Sequence, residues 1–407
     1  MSARVSFRWH DRIDDVAHLW GGCFPGSGVV DALDLHRAVE AARLENVTHH
    51  NLAGTIDGEP ACLVPCFAFT VSLVAIAGPA VQRLVAWVRK AVPGFLRVRL
   101  FVVGTPVSTC GHLVGLNPSL DAGQRDDVLR QVGQEATRKA SALGIGLTMI
   151  KELDASSRDR FERALGDRFL FVDSLPTTYL PLPRSRKGGY STAIRSKYRV
   201  KMNHRMDLAA AGALRWSVVT DVSGARADEV HRLYREVLRH ATAQFEVLNR
   251  AFFVETVTAL PGRCFMLLGF ATVEGREALV ACELVLHDDH VLHPLYSGFD
   301  YRYKETLALY FNTFYRLVAE AERLGCRAVH LGQTAYEVKA ELGAFGVPQY
   351  LVLHHRSALV RRLLRLFRRV LFPRTVVPNR LVFSKPAVAH GVLASLGVEV
   401  AAADGDD

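Results

Sequence analysis

The feature that most restricts how this chain can fold is a plan that occurs twice. "IDGEPACLVPCFAF" at Ile56–Phe69 and "VEGREALVACELVL" at Val273–Leu286 each read as an apolar strand, an acidic-glycine turn and a second apolar strand. That is the pattern of a β-hairpin. After the first hairpin, Asp127–Gly144 places apolar residues at 128, 129, 132, 136, 140 and 143, one helical face, and the strand "IGLTMI" follows. After the second, Leu307, Tyr310, Phe311, Phe314, Leu317, Val318, Ala321 and Leu324 form a helical stripe that stops at Gly325, and the strand "CRAVHL" follows. Glycine is a natural left-handed stop for a helix. The order helix, helix, hairpin, further strand, helix, strand thus predicts two copies of one α/β unit. The seam falls near "DSLPTTYLPLPRSRKGG" (Asp173–Gly189), where prolines and glycines punctuate the chain. The first copy carries an extra segment, roughly 72–93, in which "VQRLVAWVRKAV" has the pattern of an amphipathic helix. The expected division is 1–175, 176–372 and a tail, 373–407, whose acidic "DGDD" end is expected to be disordered.

Length and composition agree with this plan. A chain of 407 residues has room for two domains. With 49% apolar and 22% charged residues it can bury a sizeable core. No apolar run approaches the ~18 residues of a spanning helix, and the N-terminus has no apolar leader. Seven cysteines without a framework suit a reducing cytoplasm. Cys62 and Cys66 lack two further soft ligands at matching spacing, so they are expected in the core and no metal site is expected. The net charge of +9 allows an acidic partner without choosing one.

Three stretches of the second half carry a resemblance: "YSTAIRSKYRVKMNHRMDLAAAG" (Tyr190–Gly212), "YSGFDYRYKETLALYFNTFYRLVAEAERLG" (Tyr296–Gly325) and "HLGQTAYEVKAELGA" (His330–Ala344). In order and spacing this half resembles the GNAT superfamily of N-acyltransferases, and in particular its Fem-type, peptidoglycan-biosynthesis-like branch, in which two such domains are fused. The likeness covers about 175–372; the first half shares only the layout. It implies an α/β (α+β) fold of tandem GNAT-like domains, each a mixed, mostly antiparallel sheet flanked by helices. It also implies an acyltransferase that uses an acyl-CoA or acyl-carrier-protein donor and an amine acceptor, with no metal. Aminoacyl-tRNA is the alternative donor, and a non-catalytic membrane-surface or carrier-binding module the alternative role. The stretch matching the family's glycine-rich pyrophosphate loop is Arg302–Leu307; its arginine is present and both glycines are absent.

N-acyl transfer must deprotonate an amine, polarise a carbonyl and protonate a leaving group. Glu283, in the apolar strand "ALVACELVLH", is the leading base; the alternative is a carboxylate turned to solvent. Tyr336 and Tyr303 are the candidate acids, against ordinary packed tyrosines. Lys339 would steady the acceptor or the carbonyl, or be a solvated surface lysine. Arg302 and Lys304, with Thr306 and Asn312 at the start of the following helix, are expected at the donor phosphate, where helix N–H groups also point. Asp300 either orients an amine or caps that helix, with Thr306 nearer the expected cap position. His330 and Gln333 would line the same cleft.

Two basic segments stand apart. Arg195–Arg205, "RSKYRVKMNHR", is either a solvated helix or an anion-facing patch, with Arg195 and Tyr198 as its substrate-side candidates. Ala358–Phe372, "ALVRRLLRLFRRVLF", gathers five arginines on one side of a helical wheel and large aliphatics on the other. That is either a helix packed on the protein or one lying at an anionic membrane surface. The expected location is therefore cytoplasmic, with peripheral contact at the inner face of the membrane possible. "VSTCGHLVG" (Val107–Gly115) brings Ser108, Cys110 and His112 close in sequence but supplies no third group to orient a nucleophile.

Overall fold

The computed structural model describes residues 4–72, 97–184, 188–241 and 247–400. The amphipathic segment expected at 81–92 and the acidic end of the tail lie outside the described residues. The first half supplies β1 (Ser6–His10), β2 (Val47–Ile56), β3 (Glu59–Ser72), β4 (Arg97–Val103), β5 (Gly115–Leu116), β6 (Leu147–Leu153) and β7 (Leu170–Asp173). Then come β8 (Thr177–Pro181), β9 (Arg215–Val219), β10 (Cys264–Val273), β11 (Arg276–His287), β12 (Val291–Phe299), β13 (Ala328–Gly332), β14 (Phe345–Val347) and β15 (Tyr350–His355).

Both expected hairpins form. Asp57 and Gly58 have φ of 52° and 90°, and Glu274 and Gly275 have 51° and 77°. Two successive positive φ values match the twist of a tight hairpin. The helix expected at 127–144 spans Ala122–Ala142, one turn earlier than its apolar face suggests. Asp121 and Gln124 close a reciprocal capping box there, which satisfies two of its first N–H groups. The helix Leu309–Leu324 ends at Gly325 in the left-handed region, as expected.

The strands form two mixed sheets with the same internal order: β1-β2-β3-β4-β6-β15-β7, and β9-β10-β11-β12-β13-β8-β14 read from its other end. Each sheet contains one parallel pair, β4 with β6 and β12 with β13. The penultimate strand of each sheet is out of chain order: β15, from the second half, enters the first sheet, and β8, which directly follows β7 in the chain, enters the second. β8 lies between β13 and β14, and β15 between β6 and β7. Pro176 and Pro348 stand at the two crossings. Neither can donate a ladder hydrogen bond, so neither crossing continues as a hairpin. Ser174 N–H donates to Gln349 O at 2.8 Å and ties the crossings together.

The halves also share a core. Leu35 and Val39 of the helix Leu33–Ala41 pack with Phe252, Phe253, Val230 and Leu284 of the second half. The segment after 372, read from sequence as a tail, returns to the second unit. Val382, Phe383 and Ala389 bury in its core with Tyr190 and Ile194, and Pro386–Ala394 is helical. Its apolar residues had a partner that local sequence does not reveal. Cys62 and Cys66 are buried in the first core, as expected. Among the described residues no helix is long and apolar enough to cross a membrane, and no group of His, Cys, Asp or Glu could hold a metal.

Candidate active site

β12 and β13 pair only at Val291–Ala328 and Leu292–Val329. Beyond them the ladder has two reasons to stop. His293 and His330 meet through their Nδ1 atoms at 3.2 Å, and Pro294 has no N–H. A register shift of β12 against β11, between Leu284 and Val285, sits at the same point, and such bulges bend a strand. The sheet therefore opens as a wedge between β12 and β13, with backbone groups on the free edge of β12 facing it.

Glu283 lies on β11 beside this opening, opposite Ser297 of β12. It is 2% exposed, which removes the solvent-facing alternative. Ser297 hydrogen-bonds the carboxyl, and Oε2 has no hydrogen-bond partner among the described residues. Lys339 closes the wedge from the other side. It is 3% exposed, so it is not a surface lysine. Its Nζ donates to Gly332 O at 3.2 Å and Gln333 O at 2.5 Å. Burial pushes Glu283 up to about 8, against the hydrogen bond from Ser297 and the field of Lys339. Burial likewise pulls Lys339 down to about 7, opposed by Cys110 and Glu283. Near neutral pH the carboxyl keeps its proton while the amine is partly deprotonated.

The turn after β13 holds Lys339 in place. Gly332, Thr334 and Ala335 have φ of 68°, 63° and 50°. The space around Gly332 is open, so its positive φ is what calls for glycine. Thr178 Oγ1 also donates to Gly332 O, at 2.7 Å. Tyr336 begins the helix Tyr336–Leu342, and its hydroxyl donates to Pro176 O at 2.8 Å. Gln333 Nε2 donates to Leu175 O at 2.8 Å. His330 is buried, 2.6 Å from Thr177 Oγ1, and burial keeps it well below the usual histidine range. It stacks on Tyr179.

Of the residues expected at the site, Glu283, Lys339, Gln333, Tyr336 and His330 gather here. A second group follows β12. Asp300 caps the turn Tyr301–Tyr303 and grips Arg302 through two side-chain hydrogen bonds of 2.9 and 2.6 Å. Neither Asp300 nor Thr306 caps the following helix as expected: Thr306 is exposed, and Ala308, with φ of 43°, occupies the N-cap of Leu309–Leu324. Lys304 is exposed and Tyr303 half-buried. Asn312 is buried, and its Nδ2 donates to the carbonyls of Arg205 and Leu307, both at 2.8 Å. Arg195 Nε donates to Phe383 O at 3.3 Å, and Tyr198 packs against the second core. Among the contacts of the described residues neither touches the Glu283 group.

Other residues at the wedge had no sequence argument. Ser297 was a hydroxyl in an apolar strand. Tyr310 lies near enough to Glu283 to respond to its charge. The first unit adds the loop Val107–Gly111, which is not an extended strand: Cys110 has φ of 58°. Alternation therefore does not bring Cys110 to His112, which pairs with Ser157 Oγ at 2.9 Å instead. Glu152 orders this loop, accepting from Ser108 Oγ at 2.6 Å and from Cys110 N–H at 3.0 Å. Cys110 then stands close to Thr177 and Lys339. A lone carboxylate ending β6 was the available signal for Glu152.

Two fused sheets with one parallel pair each, the second pair parting beside a central-strand carboxylate, can be compared with known proteins. Residues 196–340 match the model of the acetyltransferase (GNAT) domain. The crystal structure of FemX superposes with a TM-score of 0.54 at 10% identity, over 89% of this chain and 100% of that one. This chain carries a GNAT domain within a Fem-type two-domain fold. A C-terminal domain of a putative lysylphosphatidylglycerol synthetase from Agrobacterium fabrum superposes with a TM-score of 0.52 at 9% identity, over 88% and 97% of the two chains. A conserved protein of unknown function from Bacteroides thetaiotaomicron gives 0.50 at 11% identity, over 86% and 100%. Comparison with curated proteins gives no match. At these identities the solved structures establish the shared fold of this chain, not its substrate.

Proposed function

We propose that this GNAT protein is an N-acyltransferase whose amine acceptor attacks a carrier-bound acyl group directly in the wedge between β12 and β13. The observation that carries the reading is the buried Glu283, with Ser297 and Lys339 beside it, where the two strands part. The deprotonated Glu283 carboxylate takes the proton of the attacking amine. Free backbone N–H groups on the edge of β12 polarise the acyl carbonyl. Lys339 keeps the Glu283 carboxylate accessible by its positive field and holds the Gly332–Ala335 turn. Tyr336 lies on the same side and donates to the departing thiolate after leaving Pro176 O. The donor's phosphates are met at the start of Leu309–Leu324 by Arg302 and Lys304.

The donor is an acyl-CoA or an acyl-carrier protein. A side chain at each glycine position of the phosphate loop narrows the approach of the backbone to a pyrophosphate, which supports an acyl-carrier protein over an acyl-CoA. The test incubates the full chain with acyl-CoA, acyl-carrier protein or aminoacyl-tRNA and a panel of amines, with and without ribonuclease. Acyl transfer that resists ribonuclease and is lost in Glu283→Gln supports the reading. Transfer only from aminoacyl-tRNA would replace the donor. Full turnover in Glu283→Gln would overturn the base.

A further inference from the structure

The chain's positive charge is not spread evenly. Residues 342–398 contain eight arginines, one lysine and no aspartate or glutamate, as large a surplus as the formal +9 of the whole chain. Its centre is the helical pair Ala358–Leu366 and Arg368–Leu371. Leu364 anchors it by packing on Leu170, Val172 and Leu353 at the edge of the first sheet. The neighbouring face has no cover. Leu359, Leu366, Phe367 and Val370 are 67%, 72%, 49% and 78% exposed. Beside them stand Arg361, Arg362, Arg365, Arg368 and Arg369, none with a carboxylate partner among the described residues. Arg361 donates to the carbonyls of His355 and Arg356, and Arg365 to that of Asp167.

We propose that this face docks on an anionic lipid bilayer, with the aliphatic side chains entering the acyl boundary and the arginines reaching headgroup phosphates. The helices are too short to span a bilayer, and their exposed apolar arc borders the arginines, which is the arrangement of a helix lying in the interface. Charge complementarity selects the occupant. A second copy on the same face would set two arginine arcs side by side with no acidic residue from 342 to 398 to pair them. A nucleic acid would meet the arginines but leave the aliphatic side chains in water.

The test is flotation of the full chain with phosphatidylglycerol-containing vesicles and with pure phosphatidylcholine vesicles, alongside Leu366→Ser/Val370→Ser and Arg362→Gln/Arg369→Gln. These positions are exposed, and unchanged thermal melting verifies that each variant folds. The wild-type chain is expected to float with the anionic vesicles and remain behind with the neutral ones. The serine pair should weaken binding at least ~30-fold, and the glutamine pair ~10- to 30-fold. Equal binding to both vesicles, no binding, or full binding by the serine pair would overturn the proposal. So would retention on RNA without flotation, or a solution dimer that the serine pair dissolves.

Discussion

The two sheets are built to one order, yet only one of them opens. In the first, β4 and β6 stay paired over four residues, Leu100–Leu147 to Val103–Ile150. In the second, β12 and β13 pair over two. The first central strand, "EPACLVPCFAFTVS", has no carboxylate after Glu59, whereas the second places Glu283 mid-strand. The first unit's buried carboxylate, Glu152, is engaged by Ser108 and Cys110 and orders a loop. Glu283 leaves one oxygen unpartnered. A satisfied buried carboxylate is structural, and an unsatisfied one is maintained at a cost that a function can explain. On the proposed function, the duplication yields one unit that builds a wall and one that carries the chemistry.

The sharpest way to break this comparison is to remove each carboxylate in turn. Glu283→Gln should lower turnover of a working donor–amine pair by ~10²–10⁴-fold, the usual contribution of a positioned base. Glu152→Gln should leave the chemistry within ~10-fold and act on stability. If steady-state kinetics put the larger loss at Glu152, the assignment of roles to the two units is reversed.

Lys339→Met comes next. It strips the charge that holds Glu283 down and leaves the carbonyls of Gly332 and Gln333 without their buried donor. The limb of the pH–rate profile governed by Glu283, expected near 8 in the parent, should move to higher pH. Stability should fall by about 1–3 kcal/mol. An unmoved limb, measured between pH 6 and 10, would separate Lys339 from the base.

The third prediction concerns stability against pH. The proton on Glu283 is held in the folded state up to about 8 and released from the unfolded chain near 4.5. The folded state therefore binds the extra proton, and stability falls as pH rises through that window. Lys339, released near 7 when folded and 10.5 when unfolded, opposes this above neutrality. Between pH 5 and 7 Glu283→Gln should thus gain about 2 kcal/mol relative to the parent, read by urea denaturation at each pH. A difference that does not change with pH would mean that Glu283 is ionised throughout.

The smallest effect is expected at the first unit. Glu152→Gln keeps the shape of the side chain but weakens two charge-assisted hydrogen bonds, for a loss of about 1–2 kcal/mol in the same urea assay. No loss would show that the Val107–Gly111 loop is ordered by other contacts.

Particular residues show how far local pattern reached. The hairpin turns at Asp57–Gly58 and Glu274–Gly275, the stripe of Leu309–Leu324 and its stop at Gly325 were legible because each depends on neighbours within a few positions. Glu283 was legible as an anomaly, a charge in an apolar strand. Lys339 was legible only as a choice between surface and site, because its burial depends on how β13 turns at Gly332. Neither Asp300 nor Thr306 caps Leu309–Leu324, because the chain first makes a short turn at Tyr301–Tyr303, which Asp300 caps, and Ala308 then stands at the start of the helix.

What the sequence determined alone is the repeated set of elements, since strand alternation, helical periodicity and glycine turns are short-range properties. What only tertiary structure decided is where those elements join. The entry of β15 into the first sheet, the seating of Val382, Phe383 and Ala389 in the second core and the approach of Cys110 to Thr177 all link residues far apart in the chain. Their partners are chosen by which apolar faces and unpaired backbone edges remain when the two units close on each other, and no local pattern records that choice.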